Sequence, residues 1–145
     1  MSQSNSINAP KWFLIVGIIA LVWNLLGVFA YIMQQTMSPE DIAALSDAER
    51  TLRETTPAWA SAAFAIAVHG GALGCLALVF KKGWALPLLV LSLAAVLVQM
   101  VHAFFISNSI EVFGPGGMIM PVMIIVIAVY LVFLARSAKE KGWIS

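Results

Sequence analysis

Four apolar stretches, each long enough to cross a bilayer, decide most of what this chain can become. They run from Trp12 to about Gln34, from Ala58 to Phe80, from Trp84 to Ile106 and from Met118 to about Ala135. A helix needs about 20 mostly apolar residues to span the hydrocarbon. No water is available there to satisfy backbone N–H and C=O groups, so each stretch must close its own hydrogen bonds as a helix. Composition agrees: 61% of the 145 residues are hydrophobic, 10% are charged, and the mean hydropathy is +0.95. Soluble domains carry about 25% charged residues. The fold class expected is all-α, a four-helix transmembrane bundle forming one membrane domain over 1–145.

The charges give the bundle a direction. Lys11, Lys81, Lys82, Arg136, Lys139 and Lys141 fall on one side of a four-span arrangement. Arg50 and Arg53 fall on the other, in a loop that also holds Glu40, Asp41, Asp47, Glu49 and Glu54. The positive-inside rule therefore predicts cytoplasmic N- and C-termini. Trp12, Trp84 and Trp143 sit beside the basic side, and Trp59 opens the second span from outside, as interfacial anchors do. The triplet "VFA" at Val28 to Ala30 resembles a signal-peptidase site, but the apolar run continues through Tyr31, Ile32 and Met33. That is too long for a signal-peptide core, so the segment is read as a retained span.

The two outer loops differ. Between residues 38 and 57, Ser38, Pro39 and Asp41 form a capping-box pattern, and Ile42, Leu45, Ala48 and Leu52 recur at helical spacing. This predicts a short amphipathic helix on the outer membrane face, with a solvated acidic connector as the alternative. The second loop, "SNSIEVFGPGGM", is rich in turn formers and predicts an irregular turn feeding the last helix.

Polar residues inside the bilayer are costly and are functional candidates by default. In the first span Ala20, Asn24, Gly27, Tyr31 and Gln34 share one helical face, and in the third so do Ser92, Ala95, Gln99 and His102. The second span contributes His69 near its centre. At about 1.5 Å per residue, Asn24 and His69 both fall near the midplane, with Tyr31, Gln99 and His102 in the outer half. These residues predict an outward-facing polar cleft with Asn24 and His69 at its floor. The competing reading is that the amides and imidazoles only bond across helices, at about 1 kcal/mol or less per contact.

Other chemistries fit poorly. His69 and His102 are offset by about 10 Å along the membrane normal, too far for two axial ligands of one haem. No Asp, Glu or Cys lies at a matching depth for a metal site, and the lone Cys75 permits no intrachain disulfide. Ser61 and Ser92 have no acidic partner in the membrane, so no acyl-transfer triad is expected. No cofactor is expected, nor any nucleic-acid partner. Gly70 and Gly74 form a GxxxG, with Ala63, Ala67 and Gly71 as an adjacent small-residue stripe. Such a stripe packs either against the first or third span or against a second copy or a partner membrane protein.

The segments "WNLLGVFAY", "AWASAAFAIAVHGGALGCLALVFKKGWA" and a terminal "KGW" resemble a family of small bacterial four-helix inner-membrane proteins often labelled "sugar transporter". In outline the chain is also similar to the DoxX-like proteins, some of which are associated with quinone-linked oxidation. The resemblance implies a multi-pass protein of the bacterial inner membrane. The function expected is small-solute binding or transport, with Asn24, Tyr31, His69, Gln99 and His102 lining the pocket. An accessory subunit of a membrane complex and a quinone-linked redox subunit are the alternatives.

Overall fold

Helix α1 (Lys11–Gln35) begins after Pro10, and α4 (Ala58–Val79) begins after Pro57. Both prolines have extended backbone at the N-cap, where the missing N–H sacrifices no helical hydrogen bond. Helix α5 (Ala85–Val101) runs on into a π turn, His102–Ile106. A 3-10 turn, Pro115–Met118, leads into α7 (Ile119–Glu140). The computed structural model describes residues 8–107 and 109–145, and among them the fold is all-α. Its four long helical segments each have the length and apolarity to cross a membrane. Three of these helical segments, Lys11–Gln35, Ala58–Val79 and Ala85–Ile106, begin and end within a residue of the apolar stretches read from the sequence. The fourth helix runs five residues further, because the backbone continues after hydrophobicity ends, and Arg136 and Glu140 then pair at 3.3 Å on its last turn.

The loop over 38–57 forms two short helices, α2 (Pro39–Ala44) and α3 (Asp47–Thr55). Ser38 caps α2 as expected: its Oγ accepts from Asp41 N–H at 3.1 Å, and Asp41 accepts from Ser38 N–H at 3.2 Å. Ser46 then builds a second box with Glu49, which ends the first helix at an extended Leu45. Arg50 closes the break by donating to the carbonyls of Ala43 and Leu45, each at 3.1 Å. The second loop contains α6 (Ser109–Phe113), then Gly114 at φ +74, a value that favours glycine. Asn108, part of the turn-rich segment, lies outside the described residues.

The spans pack in the sequence α1–α4, α4–α5, α5–α7. Among the described residues α1 and α7 do not form a packed pair along their length. They converge only at the face that carries the basic residues and the chain ends, called here the terminal face. There Phe13 (1% exposed), Leu78, Cys75, Ala85, Ala135, Ala138 and Ile144 form one core. Trp143 lies edge-on to Trp12 and tilted against Phe13, at 5.6 and 5.5 Å between ring centroids. Ser145 binds the α4–α5 turn twice, donating to Lys81 O at 3.2 Å and accepting from Gly83 N–H at 2.9 Å. Toward the opposite, loop face the buried cluster is smaller: Ala67, Ala95, Val96 and Met100. The larger buried core thus lies toward the terminal face and the smaller one toward the loop face.

Small residues set the tight spacing. A Cβ on Gly74 would stand 2.7 Å from Leu89 Cγ and Cδ2, and one on Gly71 would overlap the Asn24 side chain. Ala63, Ala67, Gly70, Gly71 and Gly74 are all buried within the chain's own packing, and the glycines face α1 and α5. The stripe is occupied intramolecularly.

Candidate functional site

A cleft of about 350 Å³ lies at the loop face. From α5 and its π turn come Gln99, His102 and Ser107; α4 supplies Ser61 and Phe64, and α3 supplies Arg53. The π turn is closed by Ser107 N–H donating to His102 O at 2.8 Å. One extra residue in that turn brings His102, Ala103 and Ser107 onto the cleft together. His102 is only 7% exposed, and its ring stands edge-on to Trp59 at 5.3 Å. Among the described residues no sealed side-chain nitrogen or oxygen lacks a partner, and no hydrogen bond from another described residue reaches the His102 ring. Its nitrogens are therefore not sealed, and the residue lines the cleft.

Helix α3 roofs this space. Arg53 Nη1 donates to Gln34 O at 2.8 Å, which ties α3 to the end of α1. The ion pairs among the described residues are Arg50–Asp47 and Arg136–Glu140, so Arg53 keeps guanidinium N–H groups without a carboxylate. Glu49 also lines the cleft, but its carboxylate accepts from Ser46 Oγ at 2.8 Å and from Ser46 N–H at 3.0 Å. The hydroxyl bond first, and the backbone bond second, hold the Glu49 carboxyl below the usual carboxylate range.

A second cleft, about 390 Å³, lies deeper between the four spans. It is mostly hydrocarbon: Leu26 from α1, Val68 from α4, Leu89 and Val96 from α5, Ile124 and Met120 from α7. Asn24 and Ser92 reach it, with their hydrogen-bond donors engaged elsewhere. Ser92 Oγ–H donates to Ala67 O at 2.6 Å, stitching α5 to α4. Asn24 Nδ2 donates to Ala20 O at 2.9 Å and to Cys75 Sγ at 3.4 Å.

The five sequence-derived candidates thus divide. Gln99 and His102 meet in the loop-face cleft. Asn24 lines the deeper one, as does Gln99. Tyr31 and His69 contact each other at 5.8 Å between ring centroids, but line neither cleft. His69 is exposed on an outward stripe of α4 with Ala62, Ile66 and Leu73. Its Nδ1 lies 2.7 Å from Ala65 O. A carbonyl only accepts, so Nδ1 carries the proton and donates back to its own helix. His69 and Asn24 lie within a turn of each other in depth, since Asn24 abuts Gly71, but they point to different sides of α4.

Arg53, Thr56, Ser61 and Phe64 were absent from the sequence-derived set although they line the loop-face cleft. A signal for two of them was available: Ser61 and Phe64 continue the helical face of Ala67, Val68 and Gly71. Arg53 had none, because its position depends on how α3 folds back over α1. Among the described residues no three His, Cys, Asp or Glu side chains converge to hold a metal ion. The chain matches no family model, no curated protein and no solved structure.

Proposed function

We propose that this is a multi-pass protein of the bacterial inner membrane that binds a small solute from the extracytoplasmic side, in the cleft lined by Gln99, His102 and Arg53. The observation that carries this reading is the asymmetry of the bundle. A terminal face that holds the larger buried core and bears six of the eight basic residues stands opposite a polar cleft at the loop face. By the positive-inside rule the packed end is cytoplasmic and the open end external. Such a form would accept a solute from outside and not pass it through, which is the first half of a transport cycle or a binding function complete in itself.

Thiol labelling tests it directly. Cys75 is fully buried and is the chain's single cysteine, so the background is silent. In intact cells a membrane-impermeant maleimide should label Ser61→Cys, and a bound solute should protect it. Labelling that appears only after the membrane is opened would refute the orientation. Protection that survives His102→Ala and Gln99→Ala together would refute the site.

One observation favours a second reading, that of an accessory subunit. His69 turns a polar ring outward near mid-span, where a partner helix could satisfy its Nε2. Crosslinking from Ile66→Cys, on the same stripe, to another protein in native membranes would support it. Exclusive labelling by lipid-soluble probes would count against it.

A further inference from the structure

We propose that the two clefts are the head and tail compartments of one site, and that its ligand is a single-chain amphiphile with an anionic, oxygen-bearing head. This rests on the solute-binding reading above and names the class of solute. Phe64 and Gln99 line both clefts, so these two residues form the partition between them. Phe64 is held by the edge of Tyr31 at 5.3 Å, while Gln99 is an unbranched side chain that can turn to either side.

The compartments are chemically opposite. The upper one presents Gln99, His102 and the unpaired N–H groups of Arg53. Those donors suit a carboxylate or phosphate head, and of the Glu49 carboxylate that shares the lining, Oε2 is already engaged by Ser46 N–H and Oγ–H. In the lower one the hydrogen-bond donors of Ser92 and Asn24 are spent internally, on Ala67 O and on Ala20 O and Cys75. Apart from the Asn24 carbonyl oxygen and the Gln99 partition, a ligand there meets mostly hydrocarbon.

The lower cleft also opens sideways. Leu26 of α1 and Met120 of α7 line it and remain 60% and 54% exposed, and no packing of α1 on α7 closes the gap. A molecule that arrives from water needs no such opening. One dissolved in the bilayer does, because it can slide its chain between α1 and α7 while its head stays at the interface.

Trp23 lines the lower cleft and so reports on the chain. The test uses full-length protein in nanodiscs with Trp23 as its sole tryptophan, carrying Trp12→Phe, Trp59→Phe, Trp84→Phe and Trp143→Phe. A chain-brominated dodecanoate should quench Trp23 saturably, and unbrominated dodecanoate should protect Ser61→Cys over the same concentration range. Arg53→Gln should weaken both effects by about tenfold or more, the loss of a charge-assisted hydrogen bond. Ala128→Leu, which adds bulk to the lower cleft from α7, should weaken dodecanoate by about tenfold while leaving protection by acetate unchanged. If that variant fails to fold, Ala30→Leu fills the same cleft from α1.

Protection at position 61 without saturable quenching of Trp23 would overturn the two-compartment site and leave solute binding standing. Absence of both would overturn the two readings together. Equal quenching by brominated dodecanol would overturn the anionic head, and dodecyl phosphate against dodecanoate decides which anion is preferred.

Discussion

Replacing Gly71 by alanine is the sharpest test of how α1 and α4 are held together. A Cβ there would overlap Asn24 Oδ1, stand 3.0 Å from Asn24 Cγ and lie 3.2 Å from Ser92 Oγ. Asn24 cannot withdraw without giving up its bond to Cys75, so the cost combines overpacking with a lost contact, about 1–3 kcal/mol. One residue earlier the geometry is different. A Cβ on Gly70 would meet Leu88 O and Ser92 Cβ at 3.5 Å, ordinary contact distance, and Gly70→Ala should change stability by less than about 1 kcal/mol. Asn24→Ala alone removes hydrogen bonds worth about 1 kcal/mol in a bilayer setting. Because the clash is with the Asn24 side chain itself, Asn24→Ala with Gly71→Ala should cost less than the sum of the two, by about 1–2 kcal/mol. Unfolding in mixed SDS–detergent micelles, followed by far-UV circular dichroism, gives all four corners of the cycle. Strictly additive penalties, or a Gly70→Ala variant less stable than Gly71→Ala, would refute the contact as described.

Two further outcomes follow from the same geometry. His69→Leu should leave ligand protection at position 61 unchanged, since His69 lines neither cleft, whereas His102→Leu should abolish it; the reverse pattern in the labelling assay would reject the assignment of faces. The Glu49 carboxyl is held below its ordinary range in the folded chain by Ser46, so the α3 cap is at full strength above that range and is lost as pH falls through the lowered value. A carbon-13 titration of Glu49 should show the depressed value in the wild type and its return toward the ordinary one in Ser46→Ala; a wild-type carboxyl titrating in the ordinary range would contradict the box.

Much of the architecture was legible because membrane folding is dominated by terms local to one segment. Span length follows from the hydrocarbon thickness, and helicity from the absence of water. The Ser38 cap was readable from residues three apart, since capping is a contact within one turn. Ser46 and Glu49 have the same spacing, and the break they impose between α2 and α3 could have been read the same way.

Depth was legible too, because residue count converts directly to height along a helix. Asn24 does sit level with the middle of α4, beside Gly71.

What the sequence left open was direction around each helix axis. In water an amphipathic stripe tells inside from outside. In lipid the surroundings are as apolar as a leucine side chain, so hydrophobicity does not distinguish the stripe that packs from the stripe that faces the bilayer. His69 and His102 look alike as intramembrane histidines in the sequence. Packing puts one on the outward stripe of α4, bonded to its own backbone, and the other in a cleft beneath α3. Small residues decided the difference. Gly70, Gly71 and Gly74 draw α1 and α5 onto one side of α4, and that close approach of backbones fixes which side chains face each other.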